Sequence, residues 1–314
     1  MSKSPGAEPI ERRALARMED RISFLYVERA VLNRDDNALT IMDERGIAHV
    51  PATQIAVVMA GPGTRITHAA MALLGDSGCS VVWVGGRGTR YYAHGRPPAK
   101  SARMAEAQAT IWSHQRKRLA CARKMYAMRF PGEDVSRLSM AQLRGREGVR
   151  MKRAYAESAK RVGLEWDGRH YDPHDFDAAN PINRALTVAS ATLYGIAHAV
   201  IVGLGFIPSL GIVHSGTDRS FVFDIADLYK AELAIPAAFD VVASGVEDVD
   251  GATRTHLRSL IVSSRLMSRM VRDLQCLMEV PEGEAYVDAD LFLWSELETV
   301  AAGVNWDSKE ASWA

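Results

Sequence analysis

Two spacings of hydrophobic residues divide this chain. Between residues 21 and 95, apolar positions alternate with polar ones or form short runs, the period-two signature of strands. Ile22, Phe24 and Tyr26 alternate with Ser23, Leu25 and Val27. The turn cluster Asn33-Arg-Asp-Asp-Asn37 precedes a run through Leu39 to Met42. Glu44-Arg-Gly46 marks a second turn, before Ile47 to Val50 and Ile55 to Met59. Ser80 to Val84 reads as a buried strand, and Gly85-Gly-Arg-Gly88 turns into Thr89 to Ala93. Thr67 is placed to cap a short helix ending near Gly75. Short strands with tight turns point to a sandwich or small barrel.

Past Pro97-Pro98 the spacing changes to that of helices. Ser101 to Arg129 and Ser139 to Gly163 read as helical. Asn180-Pro181 is a helix start, Asn as N-cap and Pro in the first turn, and that helix ends near Gly203 or Gly205. Phe221 to Ala234 and Gly251 to Leu277 read as further helices. The expected fold class is therefore α+β, an N-terminal β-sandwich-like domain followed by a larger all-α C-terminal domain. The expected units are 1–96, 97–278 and an acidic tail over 279–314.

Length and composition narrow the class. The chain has 314 residues, 47% hydrophobic and 24% charged, which excludes disorder and fibrous repeats. Three separated cysteines, Cys79, Cys121 and Cys276, exclude a disulfide framework and a Cys-rich zinc site. A reducing cytoplasm fits them, and the N-terminal residues lack the apolar core of a signal peptide. Ala185 to Thr217 contains no Asp, Glu, Lys or Arg and is long enough to span a bilayer. It carries Thr187, Ser190, Thr192, His198 and Pro208, without an aromatic belt or flanking basic cluster. It reads as a buried central helix, so no membrane is expected.

Charge is balanced overall at 38 basic and 38 acidic residues, but not locally. Lys100 to Arg161 carries 16 Lys and Arg against 5 Asp and Glu; Asp273 to Glu310 carries 1 against 10. The basic section serves equally as a phosphate-binding surface or as a solvated helix face.

Few motifs carry chemistry. Gly61-Pro-Gly63 and Gly85 to Gly88 lack the Rossmann and Walker spacings and read as hairpin turns. There is no nucleophile elbow. Asp224 and Asp227 are three apart, neighbours on one helix face with apolar surroundings. Such a pair resists burial unless a cation or base compensates. With His214 one loop upstream, they suit Mg²⁺ or Mn²⁺ held partly by substrate phosphate; the Asp-x-x-Asp spacing alone is common and reads first as a structural acidic pair at a helix N-terminus. Glu147, among Arg144, Arg146 and Arg150, reads as a further ligand or as a salt bridge to Arg150.

These residues resemble a known family. Leu143-Arg-Gly-Arg-Glu147-Gly, Tyr171-Asp-Pro, Asn180-Pro-Ile-Asn183, the His214-Ser-Gly loop and Phe223-Asp-Ile-Ala-Asp227 are similar to the CRISPR-associated integrase and endonuclease of the adaptation complex, the Cas-one family, in its subtype I-E branch. Pro62 to Ala69 and Val82-Trp-Val84 match as well. The resemblance runs in order from about residue 20 to 275.

It implies a metal-dependent enzyme that inserts new spacers into a CRISPR array. The 3′-hydroxyl of a spacer would attack a repeat phosphodiester. Mg²⁺ or Mn²⁺ would be held by Glu147, His214 and Asp227, with Asp224 also needed at the site. Arg65, Arg90, Lys230, Arg254 and Arg258 match DNA-facing positions, and Tyr26 an aromatic that stacks on the duplex end. Tyr171 and Phe176 match positions near the single-stranded 3′ end. Thr217 stands where some relatives carry Lys in the pocket that reads the protospacer-adjacent motif. Implied partners are double-stranded DNA, a second copy of the chain in a homodimer, and a dimer of a small CRISPR-associated protein, Cas-two. Two other readings stay open: a nuclease on branched DNA that joins nothing, and a non-catalytic DNA-binding scaffold.

Overall fold

Two small sheets and a short helix make the N-terminal part of the molecule. A computed structural model describes residues 25–55, 57–85, 91–95, 102–169, 180–280, 292–294 and 299–301. One sheet has the order β4 (Gly46–Pro51), β3 (Ala38–Asp43), β2 (Val31–Asp35), β6 (Arg65–Ile66). The other runs β1 (Leu25–Val27), β5 (Val57–Ala60), β7 (Ser80–Val84), β8 (Tyr91–Gly95). Leu32, Leu39, Ile55, Val58 and Val81 from the two sheets share one core with Ala70 and Leu74 of α1 (His68–Asp76). Thr67 caps α1 by accepting the Ala70 N–H at 3.2 Å.

The alternation in β2 to β4 gives the expected antiparallel meander, but three pairings are parallel: β1 with β5, β5 with β7, and β2 with β6. One turn expectation is corrected as a result. Gly61-Pro-Gly63 is not a hairpin, because β5 and β6 lie in different sheets. It is a crossing, pinned where Gly61 donates to the Val27 carbonyl at 2.7 Å and Pro62 accepts from Arg29 at 2.9 Å. Gly63 takes φ +73° there, a conformation open to glycine at little cost.

The C-terminal part is mostly helical. The helices are α2 (Arg103–Ser113), α3 (Gln115–Arg129), α4 (Met140–Val162), α5 (Pro181–Gly203), α6 (Ser220–Tyr229), α7 (Ile235–Ala243), α8 (Val249–Ser263) and α9 (Leu266–Met278). α4 starts with a Ser139–Gln142 capping box and ends on Gly163 in the left-handed region. Asn180 caps α5 through the Asn183 N–H, with Pro181 in the first turn. Most of α5 is buried, from Ile182 to Val202. Leu193, Ile196 and Val200 pack with α6 to α9, and with Val57, Met59, Val82 and Val84 of the second sheet. Its length and apolarity are those of a core helix enclosed by others.

Three helix expectations are corrected. The helix read over 101–129 breaks at His114, whose extended backbone separates α2 from α3. The helix read to Ala234 continues through a π-helical turn, Lys230–Ala234, into α7. Pro236 explains that turn, since it offers no N–H and its ring conflicts with the carbonyl four residues back. The helix read over 251–277 breaks at Arg265, which sits in the left-handed region at φ +49°.

Candidate functional site

Asp224 organises the loop before α6. Buried on the first turns of that helix, its carboxylate accepts the backbone N–H groups of Ile212 at 2.5 Å, Val213 at 3.1 Å and His214 at 2.9 Å. It also lies 2.7 Å from Nδ1 of His214. Burial of this acid is therefore offset by three backbone donors and an imidazole. The chain turns tightly enough that a Cβ on Gly211 would collide with the His214 carbonyl and lie 2.7 Å from Cβ of Ser220.

The same loop is held from its other side. Gln108 of α2 donates to the carbonyls of Ile207 and Leu210 and accepts the Ile207 N–H. Arg118 of α3 donates to the carbonyls of Gly211 and Ile212 at 2.9 and 2.8 Å. Nothing in local sequence marks these two side chains, which act on residues about a hundred positions away. Their only trace is a Gln on an otherwise apolar helix face.

His214 therefore has a fixed ring and one committed nitrogen. The Asp224 hydrogen bond raises its pKa above the ordinary histidine value; burial opposes this, and the charges of Asp224, Asp227 and Glu147 add to it. The negative charges of both distant acids thus reach the imidazole. Its side chain is 44% exposed, and among the described residues Nε2 makes no hydrogen bond. An Asp that anchors Nδ1 and leaves Nε2 open is the arrangement that orients metal-binding histidines.

Asp227, one turn after Asp224, stands 3.7 Å from Nζ of Lys230 and accepts no hydrogen bond among the described residues. Lys230 also donates to Tyr194 at 3.4 Å. Burial disfavours its charge, but Asp227, Tyr194 and Tyr155 outweigh that and raise its pKa. Glu147 of α4 does not pair with Arg150, as the salt-bridge reading had it. Arg150 pairs with Glu133. Glu147 accepts from Tyr126 and from Nη1 of Arg129, each at 2.6 Å.

Among the described residues, no three His, Cys, Asp or Glu side chains stand together as a preformed ion cage. The donor chemistry of Glu147, His214 and Asp227, two carboxylates and an imidazole, still fits a divalent cation whose other ligands come from water or phosphate.

Of the residues matched to DNA contacts, Arg65 on β6 and Arg258 on α8 are exposed. Arg254 of α8 lies over the Tyr26 ring at 4.9 Å. That contact joins the two parts of the molecule. The Tyr26 hydroxyl donates to Glu28 at 2.6 Å. Arg90, Tyr171 and Phe176 lie outside the described residues. Arg144 and Arg146 are exposed on α4 just before Glu147, as are Lys152 and Arg153 further along.

Comparison with known proteins adds independent information. The family model "CRISPR associated protein Cas1" matches residues 24–132. A CRISPR-associated endonuclease Cas1 from Clostridium sp. (strain SY8519) is 44% identical over 94% of this chain and 99% of its own length. The crystal structure of TtCas1 superposes with a TM-score of 0.75 at 43% identity, covering 82% of this chain and 98% of that one. A TtCas1–DNA complex superposes at 0.64 with 45% identity, covering 84% and 99%.

Proposed function

From the premise that the chain belongs to the Cas1 family of CRISPR-associated endonucleases, we propose that it is the metal-dependent integrase of CRISPR adaptation, in the subtype I-E branch. One observation carries the reading. His214 is locked through Nδ1 by Asp224, with Nε2 open and its side chain 44% exposed.

The reaction is transesterification. The 3′-hydroxyl of a spacer attacks a phosphodiester at the repeat edge, a new P–O bond forms, the bond to the repeat's 3′-oxygen breaks, and the hydroxyl proton passes by way of water to that leaving oxygen. A divalent cation, Mg²⁺ or Mn²⁺, would be held by Glu147, His214 and Asp227 and would supply Lewis acidity to the transfer. Glu147 and Asp227 supply anionic oxygen ligands, and neutral His214 supplies nitrogen. Asp224 is a positioning residue, since its carboxylate is spent on the loop and on Nδ1. Lys230 offsets the charge of Asp227 and is available to a phosphate. Arg65, Arg90, Arg254 and Arg258 hold DNA backbone without reading sequence, and Tyr26, Tyr171 and Phe176 guide the spacer ends. The resemblance supports a homodimer working on duplex DNA with a Cas2 dimer in the cytoplasm, and the DNA complex of TtCas1 supports DNA as the partner.

The test is joining of a spacer duplex to a supercoiled repeat plasmid. Joining is expected to need Mg²⁺ or Mn²⁺ and to stop with chelator; products in chelator would refute the reading. The imidazole itself is a second check. In the metal-free protein the pKa of His214 is raised, so its titration followed by NMR should have a midpoint above about 6.5. Asp224→Asn removes the main cause of the shift and should lower that midpoint. An unshifted midpoint in the variant would detach Asp224 from the imidazole.

A further inference from the structure

Glu147 differs from the other two proposed ligands because each of its oxygens already accepts a hydrogen bond from a buried side chain. Tyr126, itself buried, holds Oε2, and Arg129 holds Oε1. The Arg129 side chain is only 7% exposed. It packs over the rings of Tyr126 and Phe130 at 5.8 and 5.2 Å, and its Nη2 approaches Sδ of Met151 at 3.6 Å. Its Nε is buried without a hydrogen-bond partner, so the guanidinium is enclosed with one donor unmet. Arg150 lies over the same Phe130 ring at 4.2 Å. Burial, and then the charge of Arg129, lower the pKa of Arg150. Two guanidinium groups thus crowd a small space, with Glu147 neutralising one and Glu133 the other.

A full positive charge at hydrogen-bond distance from a metal ligand opposes a divalent cation at that ligand. It also accounts for three suitable donors that form no ready-made cage. We propose that Arg129, with Tyr126, clamps Glu147 in the DNA-free protein, and that DNA binding opens the enclosed Arg129–Arg150 pair to a phosphate and so relieves the clamp, so that phosphate binding and metal binding strengthen each other. The phosphate satisfies the guanidinium that Glu147 otherwise neutralises, and Glu147 becomes free to ligate. Arg129 and Tyr126 are positioning residues in this scheme. By linkage, the metal must tighten DNA to the same degree that DNA tightens the metal. The device guards against metal-loaded activity before substrate arrives. It rests on the metal reading above.

The experiment is titration calorimetry of Mn²⁺ into the full-length protein, alone and with a short blunt DNA duplex, corrected by titrating the duplex alone. Arg129→Gln keeps a donor and loses the charge. Without DNA it should bind Mn²⁺ at least about fivefold more tightly than wild type, the lower end of ordinary coupling. The duplex should tighten Mn²⁺ severalfold in wild type and add little in the variant. Equal or weaker Mn²⁺ binding by Arg129→Gln overturns the clamp. Should that variant fail to fold, wild type decides: Mn²⁺ affinity indifferent to the duplex overturns it as well. His214→Ala separates the two levels. If it binds Mn²⁺ as tightly as wild type, the metal site itself is wrong. If it loses Mn²⁺ while Arg129→Gln gains nothing, only the clamp is wrong.

Discussion

His214→Ala and Asp227→Asn are expected to lower strand joining by about a thousandfold or more while leaving DNA affinity measured without divalent metal nearly unchanged. Several kcal/mol of transition-state stabilisation by a divalent ion depend on the ligands that hold it, and each 1.36 kcal/mol is about tenfold in rate. Neither side chain sits in the hydrophobic core, so the fold should survive. His214 is part-exposed, and Asp227 makes only the Lys230 contact among the described residues. Asp227→Asn keeps the volume and removes the charge, which isolates the electrostatic role. Gel analysis of the plasmid reaction measures the effect and also separates the competing readings. A nuclease that joins nothing would give nicked plasmid from wild type without joined product. A scaffold would bind DNA with steep salt dependence and be indifferent to both substitutions.

Asp224→Ala should behave differently, costing the fold as well as the chemistry. It would leave the N–H groups of Ile212, Val213 and His214 without their acceptor, together with the imidazole. A buried donor left unmet costs about 1–3 kcal/mol. Partial rearrangement of the loop limits the total to roughly 4 kcal/mol, in the range seen when one half of a buried pair is removed. The melting temperature should fall by roughly 10 °C, at about 2–4 °C per kcal/mol for a domain of this size. The loss should also depend on pH. Because the His214 pKa is raised on folding, its pairing with Asp224 contributes stability that is complete below about pH 6.5 and fades as pH rises through the raised value. The gap between wild type and Asp224→Ala should therefore narrow from pH 6 towards pH 9. An unchanged melting temperature with lost joining would make Asp224 a chemical participant rather than the holder of the loop.

What the sequence shows of this architecture depends on how local each signal is. Strand β3 and helices α1, α4 and α5 announce themselves, because alternation and caps such as Thr67, Ser139, Gly163 and Asn180 act within a few residues. The break at Arg265 carries no Gly or Pro, so a left-handed arginine there leaves no mark in the sequence. α7 was hidden because Pro236 reads as a stop, whereas the π turn before it absorbs the proline. The parallel strand pairs escape for the same reason: they join segments separated by an excursion, as β5 and β7 are by α1.

The candidate site divides along the same line. Asp224 and Asp227 are legible as a helix-face pair, and Glu147 and His214 through their motifs. Their supports are not. Tyr126 and Arg129 reach Glu147 from another helix, and Gln108 and Arg118 reach the His214 loop from about a hundred residues upstream. Such contacts exist only once α2, α3 and α4 are packed. A period-3.6 pattern cannot carry them, because it fixes which face is buried and not which polar group crosses it.

The central claim is that one divalent ion is shared by Glu147, His214 and Asp227 when DNA is bound. Crystals of the DNA complex grown with Mn²⁺, measured by anomalous diffraction, test it directly. The account predicts a single strong peak about 2.1–2.3 Å from a Glu147 oxygen, Nε2 of His214 and an Asp227 oxygen. A Mn²⁺ peak elsewhere, with these three side chains still engaged by Arg129, Asp224 and Lys230 alone, would contradict it.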